Sequence, residues 1–212
     1  MPLSAESALD NRVRRLDDTT SPSNMTQQGM RVAILMLAAC FTLACEGKGG
    51  ENTAPTTTFV LSFTPDTTNP PPPGSFYIDQ APNTSGTDEI FLRFNANFTQ
   101  PFWKVRADIL FTGTVLEFQD YTDGTYMQQG GVTPDRLVTI NTGKITIQID
   151  RPNSAAGVTG SGTILTLHFT PRDGTDGQNS PIKFSGAHAY TDGFQERLIS
   201  TIGGTVAVES FK

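Results

Sequence analysis

Cysteine is nearly absent from this 212-residue chain: Cys40 and Cys45 are the only two, and both fall within residues 30–50, MRVAILMLAACFTLACEGKGG. No cysteine follows Cys45, which excludes an internal disulfide, a thiolate metal site and a cysteine nucleophile from the body of the protein. Basic residues are scarce as well, 15 Lys+Arg against 21 Asp+Glu. They form no stripe, which argues against nucleic acid or an anionic lipid surface as a partner. The apolar stretch is shorter than the ~20 residues a membrane-spanning helix needs. No Gly-x-Ser-x-Gly elbow is present for a serine nucleophile.

What is present begins with an address. Arg31 precedes the apolar run Val32 to Ala44, and a small residue stands before Cys45, the layout of a secretory signal. The run resembles a bacterial lipoprotein signal, in which the terminal cysteine becomes an acylated N-terminus. Thr42-Leu43-Ala44-Cys45 follows the fuller apolar core and leads into the polar Glu46-Gly47-Lys48-Gly49-Gly50, so Cys45 is the expected lipid site. Leu37-Ala38-Ala39-Cys40 is the closer lipobox match, and Cys40 is the alternative. The domain plan is then a polar extension over 1–29, disordered or an over-extended start, followed by a signal over 30–45. A flexible tether over 46–58 and a folded domain over 59–212 complete it, giving a protein anchored in the cell envelope and facing outside the cytoplasm.

From Phe59 onward the pattern is that of strands. Residues 103–111 alternate, with Trp103, Val105, Ala107, Ile109 and Phe111 on one side and Lys104, Arg106, Asp108 and Leu110 on the other. Residues 144–150 place isoleucine at every second position. Period-two alternation gives a strand with one buried and one solvated face, as in an antiparallel sheet. Further strands are expected at 59–63, 75–79, 89–98, 114–119, 136–140, 163–170, 182–190, 195–200 and 205–211. The run Thr67-Thr68-Asn69-Pro70-Pro71-Pro72-Pro73-Gly74 cannot lie inside a sheet and is expected as a loop after the first strand. Asn141-Thr142-Gly143 and Asp192-Gly193 carry hairpin-turn chemistry. The fold class is all-β, a two-sheet antiparallel sandwich of jelly-roll topology with about nine to ten strands.

Five segments, in order, resemble the cohesin domain, a jelly-roll module of cellulose-degrading complexes. They are Val105-Arg106-Ala107-Asp108-Ile109-Leu110-Phe111, Val115-Leu116-Glu117-Phe118, Gly143-Lys144-Ile145, the segment GSGTILTLHF at 160–169, and GGTVAV at 203–208. One departure from the family pattern is Thr112-Gly113-Thr114, which stands where a Tyr-Asp-Pro turn is common. The resemblance implies a non-catalytic protein-binding module whose partner is a dockerin-like helical domain. Any calcium would sit on that partner, and no cofactor is expected in this chain. It also implies docking through the sheet face that includes the strands at 103–111 and 144–150. The solvent-side residues there are Lys104, Arg106, Asp108, Leu110, Thr146 and Gln148.

Other chemistry is weaker. His168 and His188 fall in expected strands without an acid at ligand spacing, and a metal or catalytic site needs several convergent groups. An EF-hand count from Asp173 fails at Thr175 and Gln178. A polysaccharide-binding module is the alternative function. Sugars stack on exposed rings, and Phe102, Tyr121 and Tyr126 are the candidates because they fall in expected loops, whereas Trp103 is expected in the core.

Overall fold

Isoleucine at every second position produces the clearest strand of the fold. Lys144–Asp150 is extended throughout, with Ile145, Ile147 and Ile149 buried and the residues between them partly exposed. Lys104–Leu110 behaves the same way around Val105, Ala107 and Ile109. Each of these valine and isoleucine side chains contributes roughly 1.5–3 kcal/mol on full burial. The computed structural model describes residues 58–211 apart from 68, 83, 85, 192–194 and 198. The expected signal at 30–45, both cysteines, the extension 1–29 and all but the last residue of the tether 46–58 lie outside the described residues, as does the Asp192-Gly193 turn.

Among the described residues twelve strands run in chain order: β1 Thr58–Pro65, β2 Ser75–Gln80, β3 Ile90–Phe102, β4 Lys104–Leu110, β5 Leu116–Asp123, β6 Asp135–Asn141, β7 Lys144–Asp150, β8 Val158–Pro171, β9 Asn179–Tyr190, β10 Glu196–Arg197, β11 Ser200–Ile202 and β12 Gly204–Phe211. A short 3-10 turn, Tyr126–Gln128, follows β5. One sheet has the order β1-β12-β9-β4-β7-β6, with β10 paired to β9; the other has the order β11-β2-β3-β8-β5. All pairings among the described strands are antiparallel except β11 with β2. The inner faces meet in one core that includes Phe76, Leu92, Phe94, Leu165, Leu167 and Phe169 from the second sheet. Phe76 packs edge-on against Phe94 at 5.2 Å. The architecture is the expected two-sheet sandwich of jelly-roll type, with twelve strands among the described residues against the nine to ten expected and one parallel pairing, β11 with β2.

Several boundaries differ from expectation for identifiable reasons. Residues 195–200, expected as one strand, form two short ones that serve different sheets, β10 beside β9 and β11 beside β2. The fifth strand starts at Leu116 because Thr112 turns the chain, its carbonyl accepting from the Val115 and Leu116 amides. It then runs on to Asp123, so Tyr121 lies in a strand. The proline run is a loop, fixed where the Asn97 side chain donates to the Pro71 carbonyl and the Ser75 hydroxyl to that of Pro72.

Candidate functional site

Because β9, β4, β7 and β6 lie side by side and turn alternate residues into the core, their remaining residues form one outer face. The β4–β7 register sets Lys104 opposite Asp150, Arg106 opposite Gln148, Asp108 opposite Thr146 and Leu110 opposite Lys144. The six residues singled out from the sequence, Lys104, Arg106, Asp108, Leu110, Thr146 and Gln148, are thus neighbours on this face.

Polar groups on the face are tied to one another across the strands. Lys104 Nζ lies 2.7 Å from Asp150 Oδ2, which also accepts from Gln148 Nε2 at 3.0 Å. Asp108 accepts from the Thr146 hydroxyl at 2.7 Å and from Lys144 Nζ at 3.2 Å. The Arg106 guanidinium sits 5.8 Å from the centroid of the Tyr190 ring on β9, within the range of a cation–π contact. Leu110 is 37% exposed and Leu137, on β6 opposite Gln148, is 61% exposed. The result is a pre-ordered polar lattice with two uncovered aliphatic side chains, an arrangement suited to docking a surface and not to bond-making chemistry.

Sequence reasoning missed part of this face. Leu137 sits within residues 136–140, where it passes for core; only pairing with β7 shows that it points outward. On β9, Lys183 is opposite Leu110 and His188 opposite Arg106. The irregularity between them, with Gly186 at φ 68°, breaks the alternation a sequence reader would follow.

The candidates for sugar stacking are corrected. Phe102 is 1% and Tyr126 2% exposed, so neither offers a free ring face. Phe102 ends β3 and packs against Phe98 and Tyr126 at the end of the core. Tyr126 lies over Gly162, where an added Cβ would come within 2.7 Å of its ring, and its hydroxyl donates to the Gly160 carbonyl at 2.9 Å. Burial raises the Tyr126 pKa well above the ordinary phenol value of 10.0. Tyr121, the third candidate, is half-buried against the core. Trp103, expected inside, is also half-buried, its indole N–H donating to the Ala155 carbonyl at 2.7 Å. Loop aromatics were drawn inward because the sandwich end needs closing; the bend at Trp103 turns its ring to the rim.

Both histidines do have acidic neighbours, brought by the topology. His168 stacks on Phe91 at 4.3 Å, with Glu89 3.0 Å from Nε2 and Asp120 3.4 Å from Nδ1. His188 contacts Glu196. In the first case the acids address different ring nitrogens, and among the described residues no three His, Cys, Asp or Glu side chains converge to hold a metal. A recess of about 170 Å³ between Pro73, Phe98, Phe102 and Arg197 is below the usual size of a small-molecule site.

No protein-family model and no curated protein matches the chain. Solved structures do. The sixth cohesin of scaffoldin B from Acetivibrio cellulolyticus, solved in complex with a Cel5 dockerin variant, superposes with a TM-score of 0.51 at 13% identity, covering 63% of this chain and 97% of that one. A type II cohesin domain from the cellulosome of the same organism gives 0.50 at 14% identity, with 65% and 95% covered. The sandwich therefore has the cohesin fold, as the five sequence segments implied.

Proposed function

We propose that this domain is a non-catalytic recognition module that docks a dockerin-type protein through the outer face of β9-β4-β7-β6. The observation that carries the reading is the face itself: Lys104–Asp150 and Asp108–Thr146–Lys144 hold the polar groups in place and leave Leu110 and Leu137 uncovered. A pre-ordered lattice around apolar anchors loses little side-chain entropy on association. The scaffoldin B cohesin that shares the fold was solved with a dockerin bound, which supports that class of partner. A lipid on Cys45, or on Cys40, would display the module outside the cytoplasm at the cell envelope, joined by the tether at 46–58.

Titration calorimetry against a panel of calcium-loaded dockerin modules, with and without chelator, tests the docking. Calcium-dependent binding that Arg106→Ala weakens is expected; a panel in which no module binds overturns it. Intact mass of the membrane-extracted chain tests the anchor, and a mature N-terminus upstream of Cys40 would rule it out.

A further inference from the structure

We infer that the partner surface taken by this face is acidic, gathered around an apolar contact with Leu110 and flanked by Lys144 and Lys183. The inference rests on the docking reading and adds the chemistry of what docks. The chain as a whole carries 15 Lys+Arg against 21 Asp+Glu. On the face the two signs are even. Its cations are Lys104, Arg106, Lys144 and Lys183; with them stand Asp108 and Asp150, Asp135 on the β6 edge, and Glu196 on β10 beside Tyr190.

Pairing decides which charges stay available. Asp150 is occupied by Lys104 and Gln148, and Asp108 by Thr146 and Lys144. These carboxylates have their nearest cations already within the sheet. Arg106 has the Tyr190 ring as its recorded contact, and Lys183 has no ion pair among the described residues. Glu196 at the margin is taken by His188, so free positive charge, Arg106 and Lys183, is what the β4–β9 side of the face offers a partner.

The register places that charge around the apolar contact. Leu110 has Lys144 directly opposite on β7 and Lys183 directly opposite on β9, so an exposed leucine sits between two ammonium groups in one cross-strand row. Cross-strand neighbours lie roughly 4.5–5.5 Å apart at Cβ, close enough for one side chain patch of a partner to touch all three. An acidic surface with an apolar residue at its centre complements this row; a basic one is repelled by it, and like-charge juxtaposition is a strong discriminator between partners.

Two arms separate this inference from the reading beneath it. In the first, the full chain labelled for NMR is titrated with a short Glu/Leu-rich peptide and with its Lys/Leu-rich twin. Amide shifts at Leu110, Lys144 and Lys183 with the acidic peptide alone are expected; equal shifts with both, or none, overturn the inference whether or not any dockerin binds. In the second, calcium-loaded dockerin modules that bind the wild-type chain are titrated against Lys183→Glu. Loss of about tenfold or more in affinity, smaller at high salt, is expected, with Ser62→Glu on β1 of the same sheet leaving binding unchanged. Binding that ignores both Lys183→Glu and salt overturns the acidic partner while the docking reading stands.

Discussion

The hydroxyl of Tyr126 donates to the carbonyl of Gly160 at 2.9 Å, and the Tyr126 ring rests on Gly162. The Gly-Ser-Gly at the start of the longest sequence match is thus a seat for a tyrosine more than thirty residues upstream. Gly160 adopts φ 88°, a backbone region that favours glycine, and Gly162 leaves space that a methyl group would fill. Gly162→Ala is expected to destabilise the domain by about 1–3 kcal/mol through overpacking. Tyr126→Phe, which loses one hydrogen bond, should cost about 1 kcal/mol. Urea unfolding of the two variants checks the order.

The same tyrosine makes stability depend on alkaline pH. Burial raises its pKa above the ordinary 10.0, so the folded state holds the phenol proton after the unfolded chain has released it. Stability is then full below about pH 10 and falls as pH rises through the alkaline range. Tyr77 acts in the same direction, raised by burial and by Asp79. Unfolding midpoints measured from neutral pH upward should decline more shallowly for Tyr126→Phe than for the wild type.

Arg151 is buried with three backbone carbonyls as its partners, those of Met127, Gln129 and Ala156. Burial lowers its pKa, yet arginine stays charged at any working pH. Arg151→Met removes a desolvated charge but leaves three carbonyls without their donor. The Met127 carbonyl is buried, and an orphaned buried acceptor costs about 1–3 kcal/mol, whereas Gln129 and Ala156 are exposed and their carbonyls can turn to water; a net loss of about 1–2 kcal/mol is expected. Hydrogen exchange should show the loss spreading through residues 125–131, which the guanidinium pins.

Lys104 and Asp150 form the best-shielded ion pair on the outer face, 2.7 Å apart. A double-mutant cycle with Lys104→Met and Asp150→Asn should return a coupling of about 1 kcal/mol, near the upper end for a pair with partial solvent access. Loss of Lys104 alone should hurt more than loss of both, because it leaves a carboxylate whose Oδ1 already lacks a partner without its cation.

Particular strands show how much was legible in advance. The isoleucines at 145, 147 and 149 and the alternation from 104 to 110 announce two half-buried strands, and those strands carry the six residues of the candidate face. Phe102 and Tyr126 were misread, because an aromatic in a turn-like segment carries no local sign of whether the sandwich end will close over it. His168 gave no hint of Glu89 or Asp120, which reach it from β5 and from the segment before β3. Lys183 was hidden behind the irregular pairing near Gly186.

The sequence by itself determined the all-β class, the main strands and which side of each faces water, because period-two alternation, turn residues and glycine placement act over a few neighbouring positions. Only the tertiary structure decided that β6 and β9 flank β4 and β7, that Leu110 stands between Lys144 and Lys183, and that two loop aromatics are core. These depend on pairing between residues tens of positions apart, and the cost of closing such loops is met only by the packing of the whole sandwich.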